Sequence, residues 1–124
     1  MSRYLHISAV RRRPGSLVPL EEALCVAAAT LRRQGVETFH GYLIAKELRE
    51  ESNARLLTAY GTLYRALGRL ERMGLMSSTW EHAQISADEN RPRRRLYSIT
   101  DAGLKAAAKA RAARPRPARK LAEA

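Results

Sequence analysis

Cysteine is nearly absent from this chain. Cys25 is the only one in 124 residues, which excludes an intramolecular disulfide and fits a reducing, intracellular setting. Placed among Leu24, Val26 and Ala27, it reads as a small buried apolar residue on a first helix. Long apolar runs are missing too: none approaches the roughly 20 residues that a membrane span requires. The first residues, MSRYLHISAVRRRPG, lack an apolar core segment, so no secretory signal is expected. Chemistry-bearing clusters are equally scarce. His6, His40 and His82 lie far apart, and no carboxylate or cysteine pair stands at metal-ligand spacing. There is no Walker loop, dinucleotide fingerprint or nucleophile elbow. No catalytic residue, metal or cofactor is expected, and an enzyme is not.

Basic charge, by contrast, is abundant and uneven. The formal net charge is +11. Residues 1–20 contribute four basic side chains and no acid, residues 21–90 a net −2, and residues 91–124 a net +9. A near-neutral globule carrying basic material at both ends points to a polyanionic partner, nucleic acid ahead of an anionic membrane.

The chain is organised around a helix expected over residues 58–74, TAYGTLYRALGRLERMG. At about 100° per residue, Leu63, Leu67 and Leu70 fall on one side, with Ala66 and Met73 beside them. Thr62, Arg65, Arg69 and Arg72 gather on the other, edged by Gly61 and Gly68. A first helix is expected over residues 17–33, with Ser16 as cap, Glu21 and Glu22 at its positive end, and Gly35 as its stop. Leu17, Leu20, Leu24, Ala28 and Leu31 face its core. A second helix is expected over residues 39–51 behind Thr38, anchored by Ile44 and Leu48. A polar break at residues 52–55 precedes the arginine-faced helix, for which Thr58 is the candidate cap. Two helices joined by a short turn, the second basic on its outer face, form a helix-turn-helix arrangement. Thr62 and Arg65 then reach base edges and Tyr60 a phosphate, arginine suiting guanine because its planar fork matches two acceptors. Arg69 and Arg72, further along, are expected at phosphates or in solvent.

After Gly74 the period changes. Residues 75–81 and 93–100 read as two strands, the second with Tyr97 and Ile99 on one face, and residues 82–92 as a long polar loop. Arg91, Arg93, Arg94 and Arg95 at its mouth suggest a wing along the backbone or minor groove. Trp80 reads as a hydrophobic anchor between wing and core.

Taken together, Gly61-Thr62-Leu63-Tyr64-Arg65-Ala66-Leu67, Leu70-Glu71 and Gly74-Leu75 resemble the PadR-type winged-helix transcriptional regulators. His40-Gly41-Tyr42, with Ile44-Ala45 and Leu48, is similar to that family's second-helix motif, which adds His40 to the DNA-facing candidates. Trp80, and residues 93–100 running into Asp101-Ala102-Gly103, are similar to its wing and exit. The resemblance spans about residues 20–104 and implies a homodimeric winged helix-turn-helix that represses transcription from a palindromic double-stranded operator, in the cytoplasm and associated with the nucleoid. Ala59 departs from the family's frequent serine cap, and residues 83–90 lack the usual wing glycines.

The expected fold class is therefore α+β, mainly α: a basic arm (1–15), a winged helix-turn-helix with a two-stranded wing (16–100), a C-terminal helix (101–113) and a disordered basic tail (114–124). In the family the last helix supplies a dimer interface. Here Thr100 caps it, Leu104 is its only large apolar residue, and alanines cover the rest, giving high propensity but a thin seam. A dimer would then rest on Leu20, Leu24 and Leu31 of helix one, with Leu104; a monomer stays open. No aromatic follows Tyr97, so a small-molecule effector pocket on this helix is unsupported. Pro115 and Pro117 end it. Two other functions remain: a non-specific architectural DNA-binding protein, and a winged-helix protein-interaction module.

Overall fold

A computed structural model describes residues 16–51 and 59–113. The arm, the polar break, Thr58 and the tail lie outside the described residues. In chain order the elements are α1 (Pro19–Arg33), α2 (Gly41–Glu51), α3 (Tyr60–Arg72), β1 (Met76–Trp80), α4 (Ala83–Asp88), β2 (Arg95–Ile99) and α5 (Asp101–Ala113).

Helix α1 is the hub. Leu24, Cys25, Val26, Ala27, Ala28, Ala29 and Leu31 are all buried, more of the cylinder than a one-faced helix would hide. The reason is that α5 packs on one side of it and α2 on another. Ala107 and Ala110 of α5 are buried in the same core as the α1 alanines, and such small side chains let two backbones approach closely. The thin seam expected of α5 thus closes inside the chain. The start of α1 differs from expectation. Val18, not Ser16, is the N-cap, and Glu21 Oε1 accepts from Val18 N at 3.0 Å. Pro19 can occupy the first turn because its missing N–H would have no helical partner there. The helix ends at Gly35, φ +90°, in the left-handed region where a side chain is strained.

Helix α2 begins two residues later than its pattern suggests. Phe39 is extended instead, exchanging both backbone hydrogen bonds with Tyr97 (2.9 and 2.8 Å) in an isolated bridge beside β2. His40 rather than Thr38 then serves the first turn, its Nδ1 accepting from Leu43 N at 3.4 Å. Helix α3 follows Ala59, an extended N-cap with no side-chain bond, and stops at Gly74, φ +78°. Leu63, Ala66, Leu67 and Leu70 are buried as expected. Each fully buried leucine is worth about 1.5–3 kcal/mol over an exposed one, so this stripe fixes which face of α3 is left outside.

Strands β1 and β2 pair antiparallel, from Met76 opposite Ile99 to Trp80 opposite Arg95. The loop expected between them is helical in part. His82 Nδ1 caps α4 by accepting from Gln84 N at 3.1 Å, Gln84 and Asp88 bond across one turn at 2.7 Å, and Asn90, φ 55°, turns the chain back. Without glycines, this stretch has no reason to avoid a helical turn. Thr100 caps α5 as expected, its Oγ1 accepting from Gly103 N at 3.0 Å. Among the described residues no helix is long and apolar enough to cross a membrane.

Candidate nucleic-acid interface

The outer face of α3 begins with Tyr60, Gly61, Thr62, Tyr64 and Arg65, all exposed. Arg65 Nη2 donates to Thr62 Oγ1 at 3.2 Å, which orients the guanidinium along the helix before any partner arrives. Gly61 and Gly68 keep the surface low, since a Cβ there would meet only the guanidinium ends of Arg65 (3.7 Å) and Arg72 (3.6 Å). Arg72 is exposed, but Arg69 differs from expectation. Its guanidinium pairs with the buried Glu21 carboxylate and donates to Ser16 O at 3.2 Å. It fastens α3 to the start of α1 and is not part of the outer face.

The wing arginines divide in the same way. Arg91 grips Glu81 through both terminal nitrogens at 2.8 Å and Glu89 through Nε at 2.8 Å. Those charged hydrogen bonds, chiefly from Arg91, hold the Glu81 carboxyl down to about 2, and Arg94 N adds another at 3.2 Å. Arg91 therefore braces the bend between β1 and β2 from within. Arg93 and Arg94 are exposed, and Arg95 is half-buried, 3.7 Å from Glu71. His40 sits close by with its pKa lowered, first by burial and then by Arg94 and Arg91.

Trp80 is not a core anchor. Alternation puts Met76, Ser78 and Trp80 on the same sheet face as Ile99, Tyr97 and Arg95. Met76, Tyr97 and Ile99 cover the core, but the strands run on past its edge, leaving Trp80 52% exposed. Guanidinium groups flank its ring instead, Arg95 at 5.0 Å and Arg93 at 5.9 Å from the centroid. Between this end of the sheet and the starts of α2 and α3 lies a cavity of about 650 Å³, walled by Tyr42, Tyr60, Tyr64, Trp80 and Tyr97 and edged by His40 and Arg93–Arg95. Sequence reasoning missed Tyr42 and Tyr64 as parts of it. The available signal was Tyr60 and Tyr64, four apart on the helix flank between the leucine stripe and the arginine face, whose rings lie 6.4 Å apart. Gly41 makes room for this wall: a Cβ there would stand 2.0 Å from Tyr64 Oη.

The sequence profile of the Transcriptional regulator PadR-like family matches residues 31–109, from the last turn of α1 through most of α5. The chain belongs to the PadR-like family. It is a family of transcriptional regulators, not of enzymes. Solved structures agree in fold. A PadR family transcription regulator from Clostridium difficile superposes with a TM-score of 0.54 at 26% identity, over 72% of this chain and 83% of that one. A transcriptional regulator from Clostridium thermocellum gives 0.51 at 27% identity, over 69% and 74%. Bacillus subtilis PadR, solved in complex with operator DNA, gives 0.53 over 76% of this chain and 49% of its own, and at 21% identity that likeness concerns the fold alone. A comparison with curated proteins gave no match.

In this PadR-like regulator the leucines expected at a dimer contact separate. Leu24 and Leu31 are 0% and 3% exposed inside the chain's own core and cannot meet a second chain, whereas Leu20 and Leu104 stay partly exposed. Cys25 is buried as expected, and burial, with Glu21 and Glu22 nearby, pushes its thiol up to about 11. Among the described residues, no group of three His, Cys, Asp or Glu side chains could hold a metal ion.

Proposed function

We propose that this protein is a sequence-specific regulator of transcription, a repressor, that binds double-stranded DNA as a homodimer in the cytoplasm. The N-terminal half of α3 enters the major groove, where Thr62 and Arg65 meet base edges and Tyr60 a phosphate. Arg93 and Arg94 follow the backbone or minor groove from the wing, with Arg95 and His40 at the back of the same concavity. The observation that carries this reading is the division among arginines. Arg69 and Arg91 are spent on Glu21 and Glu81, while Arg65, Arg93 and Arg94 stand exposed, Arg93 hydrogen-bonded among the described residues only through its Nε, to Glu81 O (3.0 Å). Bacillus subtilis PadR, which shares the fold, was solved in complex with operator DNA, and this supports double-stranded DNA as the partner here. The dimer contact falls to the Leu20 and Leu104 side of α1 and α5.

Fluorescence anisotropy on the protein's own promoter fragment, against a shuffled duplex of equal length, tests the proposal. Specific binding that survives near-physiological salt, with a gap of about a thousandfold or more, is the expected result. Equal affinity on both duplexes, collapsing steeply as salt rises, would overturn it in favour of the architectural alternative.

A further inference from the structure

Trp80 stands half in solvent at the end of the wing sheet, where the core no longer needs a large apolar ring. Strand pairing accounts for its neighbours. Trp80 lies opposite Arg95, and Arg93 comes two residues earlier, so alternation returns it to the same side of the sheet. Both guanidiniums approach the indole, at 5.0 and 5.9 Å from its centroid, within reach of a cation–π contact. Arg69 and Arg91 are held differently, by the carboxylates of Glu21 and Glu81. A carboxylate fixes a guanidinium but cancels its charge and occupies its donors. An aromatic face does neither, because it meets the plane of the group and leaves the N–H bonds at its rim. Arg93 engages only Nε, donating to Glu81 O at 3.0 Å, and its terminal nitrogens have no hydrogen-bond partner among the described residues.

We infer that Trp80 is a positioning residue for DNA binding, its ring holding the Arg93 and Arg95 side chains in place while leaving their charge and outer N–H donors to phosphates. The inference rests on the DNA reading above. An arginine gives up rotamer freedom when it docks on a phosphate, and a side chain already confined by the indole has less to lose. The ring adds affinity through the arginines and not through a base contact of its own. Its effect is therefore the same on every duplex, because phosphates carry no sequence.

Trp80→Leu removes the aromatic face and Trp80→Phe keeps one; Trp80→Met replaces the first if leucine disturbs the backbone spectrum. In the free full-length chain, the Arg93 Hδ resonances should lie upfield of those of Arg65 through the indole ring current. They should move back in Trp80→Leu with the fold intact. On matched and shuffled duplexes alike, Trp80→Leu should lower affinity about fivefold, as two exposed cation–π contacts allow. Trp80→Phe should restore most of that loss, and the salt slope should stay that of the parent, since no phosphate contact is deleted. Combined with Arg93→Ala, Trp80→Leu should lose less than the product of the two single losses. Arg93 resonances that ignore Trp80→Leu, parental affinity in that variant, a phenylalanine as weak as leucine, or losses that multiply would each overturn the role. In all of these the parent still binds duplex, so the DNA reading stands. A parent that binds no duplex would overturn both.

Discussion

Gly103 and Gly61 both lie in helices, and the same substitution should move stability in opposite directions at the two. A Cβ on Gly103 would stand 2.1 Å from Leu75 O and 2.6 Å from Ile99 Cγ1. The carbonyl cannot step aside, because it accepts from Thr100 N at 3.1 Å and belongs to the turn into β1. Forcing atoms into such a packed joint costs about 3 kcal/mol, the upper part of the usual overpacking range. Alanine returns at most about 1 kcal/mol of helix propensity, for a net loss of about 2 kcal/mol. At Gly61 a Cβ meets only the mobile end of Arg65 at 3.7 Å, so the propensity gain of up to about 1 kcal/mol stands alone. Urea denaturation of Gly103→Ala and Gly61→Ala beside the parent chain measures both, with thermal melting as a check. Gly103→Ala should melt several degrees lower and Gly61→Ala slightly higher. A Gly103→Ala protein within about 0.5 kcal/mol of its parent, the usual scatter of surface substitutions, would refute the joint as described.

Arg65→Ala should relax base preference by about 1–3 kcal/mol, whereas Arg93→Ala should weaken every duplex alike and flatten the salt slope by about one; anisotropy on matched and shuffled duplexes separates the two. Gly41→Ala should leave the fold nearly as stable, because the obstructing Tyr64 ring is 42% exposed and can swing away, yet it should weaken DNA binding by displacing that ring from the concavity. Equal DNA affinity in that variant would remove Tyr64 from the surface. The Glu81 carboxyl, held at about 2, contributes stability that is complete above the ordinary glutamate range and fades as pH falls through about 4 towards 2. Melting temperature against pH should therefore drop more steeply over that window in the parent than in Glu81→Gln, and identical profiles would contradict the Arg91 brace.

The elements most legible in the sequence were those whose apolar spacing meets a core directly. The leucine stripe of α3, the Tyr97–Ile99 face of β2 and the Thr100 cap all stand as their pattern implies. Where tertiary partners decide, the sequence was silent. Nothing local distinguishes Arg69 and Arg91, bound to glutamates 48 and 10 residues away, from Arg65 and Arg93 on the outer surface. Trp80 was expected to anchor the wing on the core, but where the core ends is a matter of how far the sheet overruns the helices. Alternation carries no such length. The helical turn at α4 was hidden for another reason: polar residues between two strands suit a loop and a short solvated helix equally well.

Thr100 does more than start a helix. Its hydroxyl donates to Gly74 O at 2.7 Å while accepting from Gly103 N, and its own N–H reaches Leu75 O. One residue thus joins the stop signal of α3 to the first turn of α5, with no free span of chain between them. Tilting α5 without disturbing the end of α3 would break at least one of these bonds. The end of α3 and the first turn of α5 are thus tied through a joint one side chain wide.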